Sequence, residues 1–465
     1  MSESVLLCID AGTTRFKAAA ITPQGKVLAG EDCTYGATDG SVHEYSHHDL
    51  LTAFSQTVQA ILKVVPAESI IGIGITGHGP TLIPLDSLCK PLHSGVGYLD
   101  DRVKHYIQRL AERENDKITS TMYIPIALFF KEEMPDIYEK TSAFLQPFDY
   151  LALLLTGSCV ASSSSSGIKP WHSSKILEAG LDREKFPPIR YMGEEIGKTT
   201  RDAASRYGIP PDVPLIAVGV DFAAALVGTN MLKPGRSCER AGSSGGINLC
   251  WGKPVHDDRL LCYEHFVRKT WNVAGITSTY GKAIEWAEKT LDADSFQQER
   301  LHRKQPGIIF LPYLKGERTP LWNPFAKGLF FGLEHKHDAV DLLIAVHTGV
   351  ALSIRECIAI IESHNCRFQH PIVTTGGLTW DEWFMQLKAD VTGKTFSRMQ
   401  LFDAELLGIA IVLAASFGHY SSISAAASSI LREEKRFIPQ KGKSAMYDRL
   451  FRQYSEIRTA VTPHF

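Results

Sequence analysis

Long runs of one charge, paired cysteines and long apolar segments are all lacking in this sequence. Its 49 basic and 51 acidic residues are interspersed, so no surface for nucleic acid or anionic membrane is expected. None of the nine cysteines forms a Cys-x-x-Cys pair, which argues against a disulfide framework or zinc ribbon and favours a reducing cytoplasm. No basic segment precedes the apolar stretch Val5 to Ile9, and Leu406 to Phe417 is too short to span a bilayer. We therefore expect a soluble cytoplasmic protein, built from about two to four domains, that acts on small molecules.

The stretch from Leu215 to Cys250 combines an acid with a turn of small residues. An apolar run, Leu215 to Val218, predicts a buried strand that ends close to Asp221. Ligands of open α/β sheets collect beyond the strand ends, so Asp221 is a candidate general base. The turn Ala241 to Gly246 could approach a phosphate closely. The alternatives stay open: Asp221 could only cap a helix from Phe222 to Gly228, and the turn could be an ordinary hairpin.

Two earlier strands end in the same way. Val5 to Ile9 leads into Asp10, Gly12, Thr13 and Thr14, and an antiparallel hairpin is predicted to follow. The likeness to the Asp221 segment suggests two related halves, although a turn with an Asp cap would look the same. Ile70 to Ile75 predicts a strand that places His78 beside the same crevice, unless that histidine is structural.

Three further segments give weaker indications of function. Tyr98 to Arg102 offers the aromatic and acidic groups that suit a polyol, but Asp100 and Asp101 also make ordinary helix caps. The serine run Ser162 to Ser166 is expected to be an exposed loop. Gly376 and Gly377, between a strand and a helix, could approach a phosphate or simply begin the helix.

Several longer motifs, in a shared order, resemble those of the FGGY family of carbohydrate kinases. The resemblance covers nearly the whole chain. The matching segments are IDAGTT (Ile9 to Thr14), YLDDR (Tyr98 to Arg102), DYLALLLTG (Asp149 to Gly157), GVD (Gly219 to Asp221), LPYLKGERTPLWNP (Leu311 to Pro324) and GGLTWDEWFMQLKADVTG (Gly376 to Gly393).

The resemblance implies an α/β protein of two actin-like, ribonuclease-H-like domains, with ATP and sugar in the cleft between them. The domains are expected at 1–214 (sugar and first phosphate turn) and 215–465 (catalytic Asp, second phosphate turn and adenine site). The implied reaction moves the γ-phosphoryl group of MgATP to a sugar hydroxyl. The implied roles are catalytic base for Asp221, Mg²⁺ binding for Asp10, phosphate binding for Gly12, Thr13, Thr14, Gly242 and Ser243, and nucleotide contact for Gly307, Gly377 and Asp381.

The expected sugar follows from the same resemblance. Glycerol kinases of the family use an Arg-Glu pair where this chain has Gly77 and His78. The motif is more similar to that of ketopentose kinases, so xylulose is expected, with ribulose, fuculose, erythritol or a catalytically silent binding protein as alternatives. The implied sugar contacts are His78, Tyr98, Asp100, Asp221 and Phe222. The family also implies a possible homodimer, and Phe222, Ser243 and His347 depart from its usual pattern.

Overall fold

The computed structural model describes residues 3–35, 44–97, 100–114, 123–165, 171, 173–292, 303–400 and 403–465. The chain forms two compact units, each made of two segments. Unit 1 comprises Met1–Asn230 and Ala404–Leu431, and unit 2 comprises Met231–Asp403 and Arg432–Phe465.

The strands and helices of the described residues alternate along the chain. The strands are β1 (Val5–Ala11), β2 (Arg15–Ile21), β3 (Val27–Thr34), β4 (Glu44–Tyr45), β5 (Ile70–Gly77), β6 (Thr81–Leu85), β7 (Gly95–Gly97), β8 (Ala143–Leu145), β9 (Ala161–Ser163), β10 (Ile189–Tyr191), β11 (Glu195–Lys198), β12 (Pro214–Ala217), β13 (Ser237–Ala241), β14 (Gly245–Trp251), β15 (Leu261–Glu264), β16 (Trp271–Thr277), β17 (Ile309–Leu311), β18 (Leu329–Phe331), β19 (Ile372–Thr375), β20 (Phe396–Met399) and β21 (Glu433–Phe437). The helices are α1 (His47–Leu62), α2 (Lys104–Glu114), α3 (Tyr123–Glu133), α4 (Pro135–Lys140), α5 (Pro147–Thr156), α6 (Ser173–Glu178), α7 (Arg201–Tyr207), α8 (Asp221–Gly228), α9 (Gly281–Thr290), α10 (Ala339–Ser363), α11 (Glu382–Thr392), α12 (Ala404–Ser416), α13 (Ile423–Ile430) and α14 (Ser444–Val461).

The main sheet of unit 1 has the order β11-β12-β5-β1-β2-β3. Strand β1 is buried along its whole length and pairs parallel with β5 and antiparallel with β2. Strand β12 pairs parallel with β5, matching Ala217 to Ile75. The predicted domain boundary after residue 214 therefore differs from the observed division, because β12 and the following helix α8 belong to unit 1.

Helix α12 belongs to unit 1 although it follows most of unit 2 in the sequence. It packs on α8 so closely that glycine is needed at both contact points. A Cβ atom added to Gly408 would lie 1.9 Å from the carbonyl oxygen of Ala224, and one added to Gly228 would lie 1.9 Å from that of Ala404. The helix that begins at Asp221 is thus held in place by the returning segment.

The main sheet of unit 2 has the order β15-β16-β14-β13-β19-β20-β21. Its central strands repeat those of unit 1 in order and direction, with β13, β14, β16, β19 and β20 in the places of β1, β2, β3, β5 and β12. The predicted relation between two halves is therefore visible in their topology. Each unit has its own apolar core.

Helix α10 is the core helix of unit 2. Asp338 and Asp341 form a reciprocal capping box at its start, with both side chains bonded to backbone N–H groups. Within the described residues, α10 alone has the length and apolar character of a membrane span, but 89% of its apolar window is buried inside the protein. Burial against the unit 2 sheet accounts for its composition.

The serine run differs from its prediction. Ser162, Ser163 and Ser164 are buried rather than exposed, and Ala161–Ser163 pairs with β10. The backbone N–H of Ser162 donates to Asp149 (2.8 Å), so the buried backbone has a partner.

Candidate functional site

In unit 1 the carboxyl ends of β1, β5 and β12 carry the three predicted chemical groups. Asp10 lies at the end of β1, where it matches Thr76 of β5. His78 follows β5, and Asp221 follows β12. Because the three strands are parallel neighbours, their ends share one edge of the sheet. The sequence predicted that His78 would share a crevice with Asp10, but it placed Asp221 in the other domain, whereas the structure brings Asp221 to the same sheet edge of unit 1.

Asp221 is the first residue of α8. Val220 occupies the cap position without a side-chain bond, and the Asp221 carboxylate accepts a local hydrogen bond from the N–H of Phe222 (2.5 Å). Gly219 has a φ of 93° and passes so close to Ser164 that an added Cβ would lie 2.8 Å from its nitrogen. The hydroxyl of Thr76 donates to the Gly219 carbonyl (2.6 Å). Asp221 is therefore half-buried and held on a fixed backbone.

His78 is buried, and its two ring nitrogens have different surroundings. Nδ1 lies 3.0 Å from the carbonyl oxygen of Ala11, which can only accept, so Nδ1 carries the proton. Burial lowers the pKa of His78, and the nearby Asp221 charge opposes this shift. Nε2 is buried and has no hydrogen-bond partner among the described residues. A neutral His78 thus has a buried acceptor nitrogen at the sheet edge that also carries Asp221.

Asp10 and the turn that follows it supply hard oxygen donors. The carboxylate is buried and faces Lys17 of β2, with Oδ2 3.4 Å from Nζ. Gly12 is half-exposed, as is Thr13, and Thr14 is exposed; Tyr35 fixes the turn by donating to the Gly12 carbonyl (2.7 Å). One carboxylate near the hydroxyls of Thr13 and Thr14 is a donor set that fits Mg²⁺, which keeps several waters and binds through few protein carboxylates. The residues present therefore fit the metal that the family resemblance implies.

The structure gives less support for sugar contacts by Tyr98 and Asp100. Tyr98 lies outside the described residues. Asp100 is fully buried and accepts from Nε and Nη2 of Arg102 (2.9 and 2.8 Å), and Arg102 also donates to Glu44 (2.7 Å). Tyr45, next to Glu44, has its ring centroid 4.3 Å from that of His78. Asp100 therefore has the capping role that was its alternative, and is linked to His78 through Arg102 and β4.

In unit 2 the turn Gly242 to Ser244 joins β13 to β14 and is open to solvent at both serines. The carbonyl oxygens of Gly242 and Ser243 accept from the N–H groups of Gly281 and Lys282 at the start of α9 (2.9 and 3.1 Å). In a trans peptide the N–H points away from the preceding C=O. The N–H groups of Ser243 and Ser244 therefore point away from α9, as an anion-binding turn requires.

Gly376 and Gly377 lie against this turn but have different surroundings. Gly376 has a φ of 103°, and an added Cβ would lie 2.6 Å from the Ala241 carbonyl oxygen. Gly377 is exposed, with open space where a Cβ would be. Asp381 caps α11 by accepting from the N–H of Phe384 (3.0 Å). Gly307 lies before β17, and its described neighbour is Gly332. No described contact joins it to the turn Gly242 to Ser244.

Two family models together match most of the chain. The model described as the N-terminal domain of the FGGY family of carbohydrate kinases matches residues 5–228, and that of the C-terminal domain matches 250–417. The chain belongs to the FGGY family of carbohydrate kinases. It is accordingly an ATP-dependent phosphotransferase with an alcohol group as acceptor.

Known FGGY proteins resemble the chain over nearly its full length. A xylulose kinase of Bacillus subtilis is 24% identical and a gluconokinase of Bacillus licheniformis is also 24% identical, the alignments covering 97% and 98% of this chain and 96% of each relative. The crystal structure of a xylulose kinase from Brucella ovis has a TM-score of 0.89 at 23% identity, over 99% of this chain and all of that one. The predicted α/β fold with two actin-like domains is confirmed.

Two buried polar residues of this FGGY kinase were missed by sequence reasoning. Tyr123 bonds through its hydroxyl to Oε1 of Gln146, whose Nε2 donates to Asp149 (2.6 Å). Both lie at Gly79, next to His78, where an added Cβ would be 2.6 Å from the Tyr123 hydroxyl. Gln146 directly precedes the DYLALLLTG region, but Tyr123 carries no local signal that separates it from the apolar residues of α3.

The departure at His347 has a structural explanation. The ring is fully buried in α10, Nδ1 contacts the Leu343 carbonyl (2.8 Å), and the ring packs edge-on against Trp383 and Phe384. It therefore joins α10 to α11 inside the core of unit 2.

Proposed function

We propose that this FGGY kinase transfers the γ-phosphoryl group of MgATP to a ketopentose, with xylulose as the first candidate, and that Asp221 is the catalytic base. The observation that carries the proposal is the buried acceptor nitrogen of His78 at the sheet edge where β5 and β12, as parallel neighbours, also place Asp221. Both groups accept protons or hydrogen bonds, which is what a substrate rich in hydroxyl groups needs.

Asp221 would act on the attacking hydroxyl. A sugar hydroxyl is a poor nucleophile at neutral pH, and a carboxylate that takes its proton accelerates transfer by roughly 10²–10⁴-fold. The fixed backbone at Gly219 and the contact of α8 with α12 hold this carboxylate in place. His78 would accept a second hydroxyl through Nε2 and so orient the sugar.

The phosphates would be held by the two turns. We assign Gly12, Thr13 and Thr14 of unit 1 and Gly242 and Ser243 of unit 2 to phosphate oxygens, and Gly377 and Asp381 to the nucleotide; Gly307 remains assigned only by resemblance. Asp10 would hold Mg²⁺, commonly through water. When bound, Mg²⁺ neutralises charge that develops on the transferred phosphoryl group.

The choice of a neutral ketose over gluconate depends on charge. A carboxylate substrate is usually paired with a cation or several N–H donors. Arg102, the guanidinium connected to the β4 strand beside His78, is already engaged by Asp100 and Glu44. Gluconate remains the second candidate, because a gluconokinase is as similar to the chain as the xylulose kinase of Bacillus subtilis.

The test is coupled ADP release from MgATP with D-xylulose, L-xylulose, D-ribulose, L-ribulose, L-fuculose, gluconate, glycerol and erythritol. Asp221→Asn is run beside Asp202→Asn, a control at an exposed carboxylate of α7. Stimulation by one ketopentose, reduced roughly 10²–10⁴-fold in Asp221→Asn and unchanged in the control, supports the proposal. Stimulation by gluconate alone would replace the substrate, and binding of sugar without turnover would indicate a silent binding protein.

A further inference from the structure

A fully buried ion pair lies beneath the phosphate turn of unit 2. Lys388 of α11 donates from Nζ to Oε2 of Glu239 on β13, and both side chains have 0% of their surface exposed. Burial lowers the pKa of the Lys388 ammonium, and the Glu239 carboxylate opposes that change. Lys388 also lies over the rings of Phe384 and Phe396, 5.3 and 5.0 Å from their centroids. The pair therefore has no contact with solvent, and aromatic rings lie on the Lys388 side of it.

Glu239 accepts from donors on three different elements. Besides Lys388, the Tyr280 hydroxyl donates to Oε1 (2.6 Å) and the Thr374 hydroxyl donates to Oε2 (3.0 Å). Lys388 Nζ also lies 3.4 Å from the Tyr280 hydroxyl. One carboxylate thus connects β13, β19, α11 and the residue that precedes α9.

The two connected strands lead directly to residues assigned to the nucleotide, and Tyr280 leads to the residue that bonds to the phosphate turn. Strand β13 ends at Ala241 and continues into Gly242, and β19 ends at Thr375 before Gly376 and Gly377. Tyr280 precedes Gly281, whose N–H donates to the Gly242 carbonyl. The Tyr280 ring also fills the space beside Gly245, where an added Cβ would lie 2.3 Å from a ring atom. Glu239 is consequently bonded to both neighbours of the turn: it lies on β13, which enters the turn, and it accepts from Tyr280, which precedes the start of α9.

Stability alone is a weak reason to bury such a pair. Removing two charges from water costs as much as their attraction restores, and well-packed apolar residues at such sites are often equally stabilising. What a hydrogen-bonded ion pair adds is a defined direction for every partner, because each bond weakens steeply when its geometry changes.

We propose that Glu239 and Lys388 are positioning residues for the phosphate turn Gly242 to Ser244 and for Gly376 and Gly377. They touch no substrate; they set the backbone that does. This inference rests on the proposed function, in which that turn binds ATP.

The test compares four variants for binding of a nonhydrolysable ATP analogue with Mg²⁺ by calorimetry, for the KM of each substrate, and for Tm. Tyr280→Phe removes only the hydroxyl that donates to Glu239. Lys388→Met removes one charge, and Glu239→Gln with Lys388→Met removes both, so that a folded variant remains if an unpaired buried carboxylate prevents folding. Glu356→Gln is the matched control, a buried carboxylate of the same unit paired with Arg458 (2.8 Å).

Tyr280→Phe and Lys388→Met are each expected to weaken nucleotide binding about tenfold, the equivalent of one lost hydrogen bond to a charged group. The KM for ATP should rise in parallel while the KM for the sugar stays unchanged. Glu356→Gln should lower Tm without changing nucleotide affinity. Full nucleotide affinity in Tyr280→Phe and in the double variant, whatever their Tm, would overturn the inference. Failure of the unaltered protein to bind nucleotide would instead overturn the proposed function.

Discussion

The Nδ1 atom of His78 lies 3.0 Å from the carbonyl oxygen of Ala11, one residue beyond Asp10. This bond settles the tautomer of the neutral ring and directs its lone pair away from β1. The backbone N–H of His78 donates to the same carbonyl (2.9 Å). Two strands that carry different chemical groups are thereby joined at their ends.

Replacing His78 by alanine should weaken sugar binding and leave nucleotide binding intact. The change removes one buried acceptor, so the KM for the sugar should rise about tenfold or more. The steady-state KM values for sugar and for ATP provide the measurement. His93→Ala, a half-buried histidine that bonds to Ser94 in the same unit, is the control. An equal rise of both KM values in His78→Ala would contradict a role specific to the sugar.

The pH dependence of sugar binding should follow the protonation of His78. Burial lowers the pKa of this histidine below its usual value, near 6.5. The neutral ring and its acceptor are therefore retained at neutral pH, and sugar affinity should fall only in acidic buffer. The same shift means that the unfolded chain binds a proton first, so folding stability contributed by His78 declines as pH falls below its unfolded pKa. Calorimetry of sugar binding at several pH values tests this, and a loss of affinity on raising the pH from 6.5 to 8 would refute it.

Asp10→Asn should raise the Mg²⁺ requirement of the reaction. The amide keeps the shape of the carboxylate and loses the charge that attracts a hard cation. The Mg²⁺ concentration for half-maximal activity should increase several-fold, and titration of ATP-analogue binding with Mg²⁺ gives a second measure. Asp32→Asn, at an exposed carboxylate that pairs with Arg15 on the neighbouring strand, should leave both unchanged.

Gly408→Ala should destabilise unit 1 and disturb Asp221 together. The added Cβ would meet the Ala224 carbonyl at 1.9 Å, so α12 and α8 must separate. Overpacking of this kind costs about 1–3 kcal/mol of unfolding free energy, and urea unfolding would measure it. kcat should fall as well, because α8 begins at Asp221. Gly252→Ala, where an added Cβ meets nothing within 4 Å, is the control; unchanged kcat in Gly408→Ala would separate the helix contact from catalysis.

Local patterns were sufficient for most strands and helices and for the three groups at the strand ends. The strand before Asp10, the strand before His78 and the strand before Asp221 are each apolar runs that end at a polar residue, and all three lie where they were predicted. Local patterns did not show which domain contains Asp221. It depends on the pairing of Ala217 with Ile75, and an apolar run does not disclose a partner so distant in sequence.

The sequence also did not reveal which polar residues are buried. Ser162 reads as part of a solvated run until Asp149 is seen to accept its backbone N–H. Lys388 lies in a helix whose pattern allows an exposed lysine, and only the tertiary contact with Glu239 shows that it is inside. Compensating partners decide whether such residues can be buried, and those partners come from other elements.

The position of α12 in the chain also bears on how the protein is made. The part of unit 1 from Met1 to Asn230 is translated first, yet the segment that completes this unit, Ala404–Leu431, follows nearly all of unit 2. Until it arrives, α8 has no partner for the face that carries Gly228. Unit 1 therefore cannot finish folding as it leaves the ribosome, as many N-terminal domains do. When the helix that begins at Asp221 acquires its α12 partner, the chain has already been translated through α12, so synthesis of most of the second unit precedes assembly of the Asp221 site in the first.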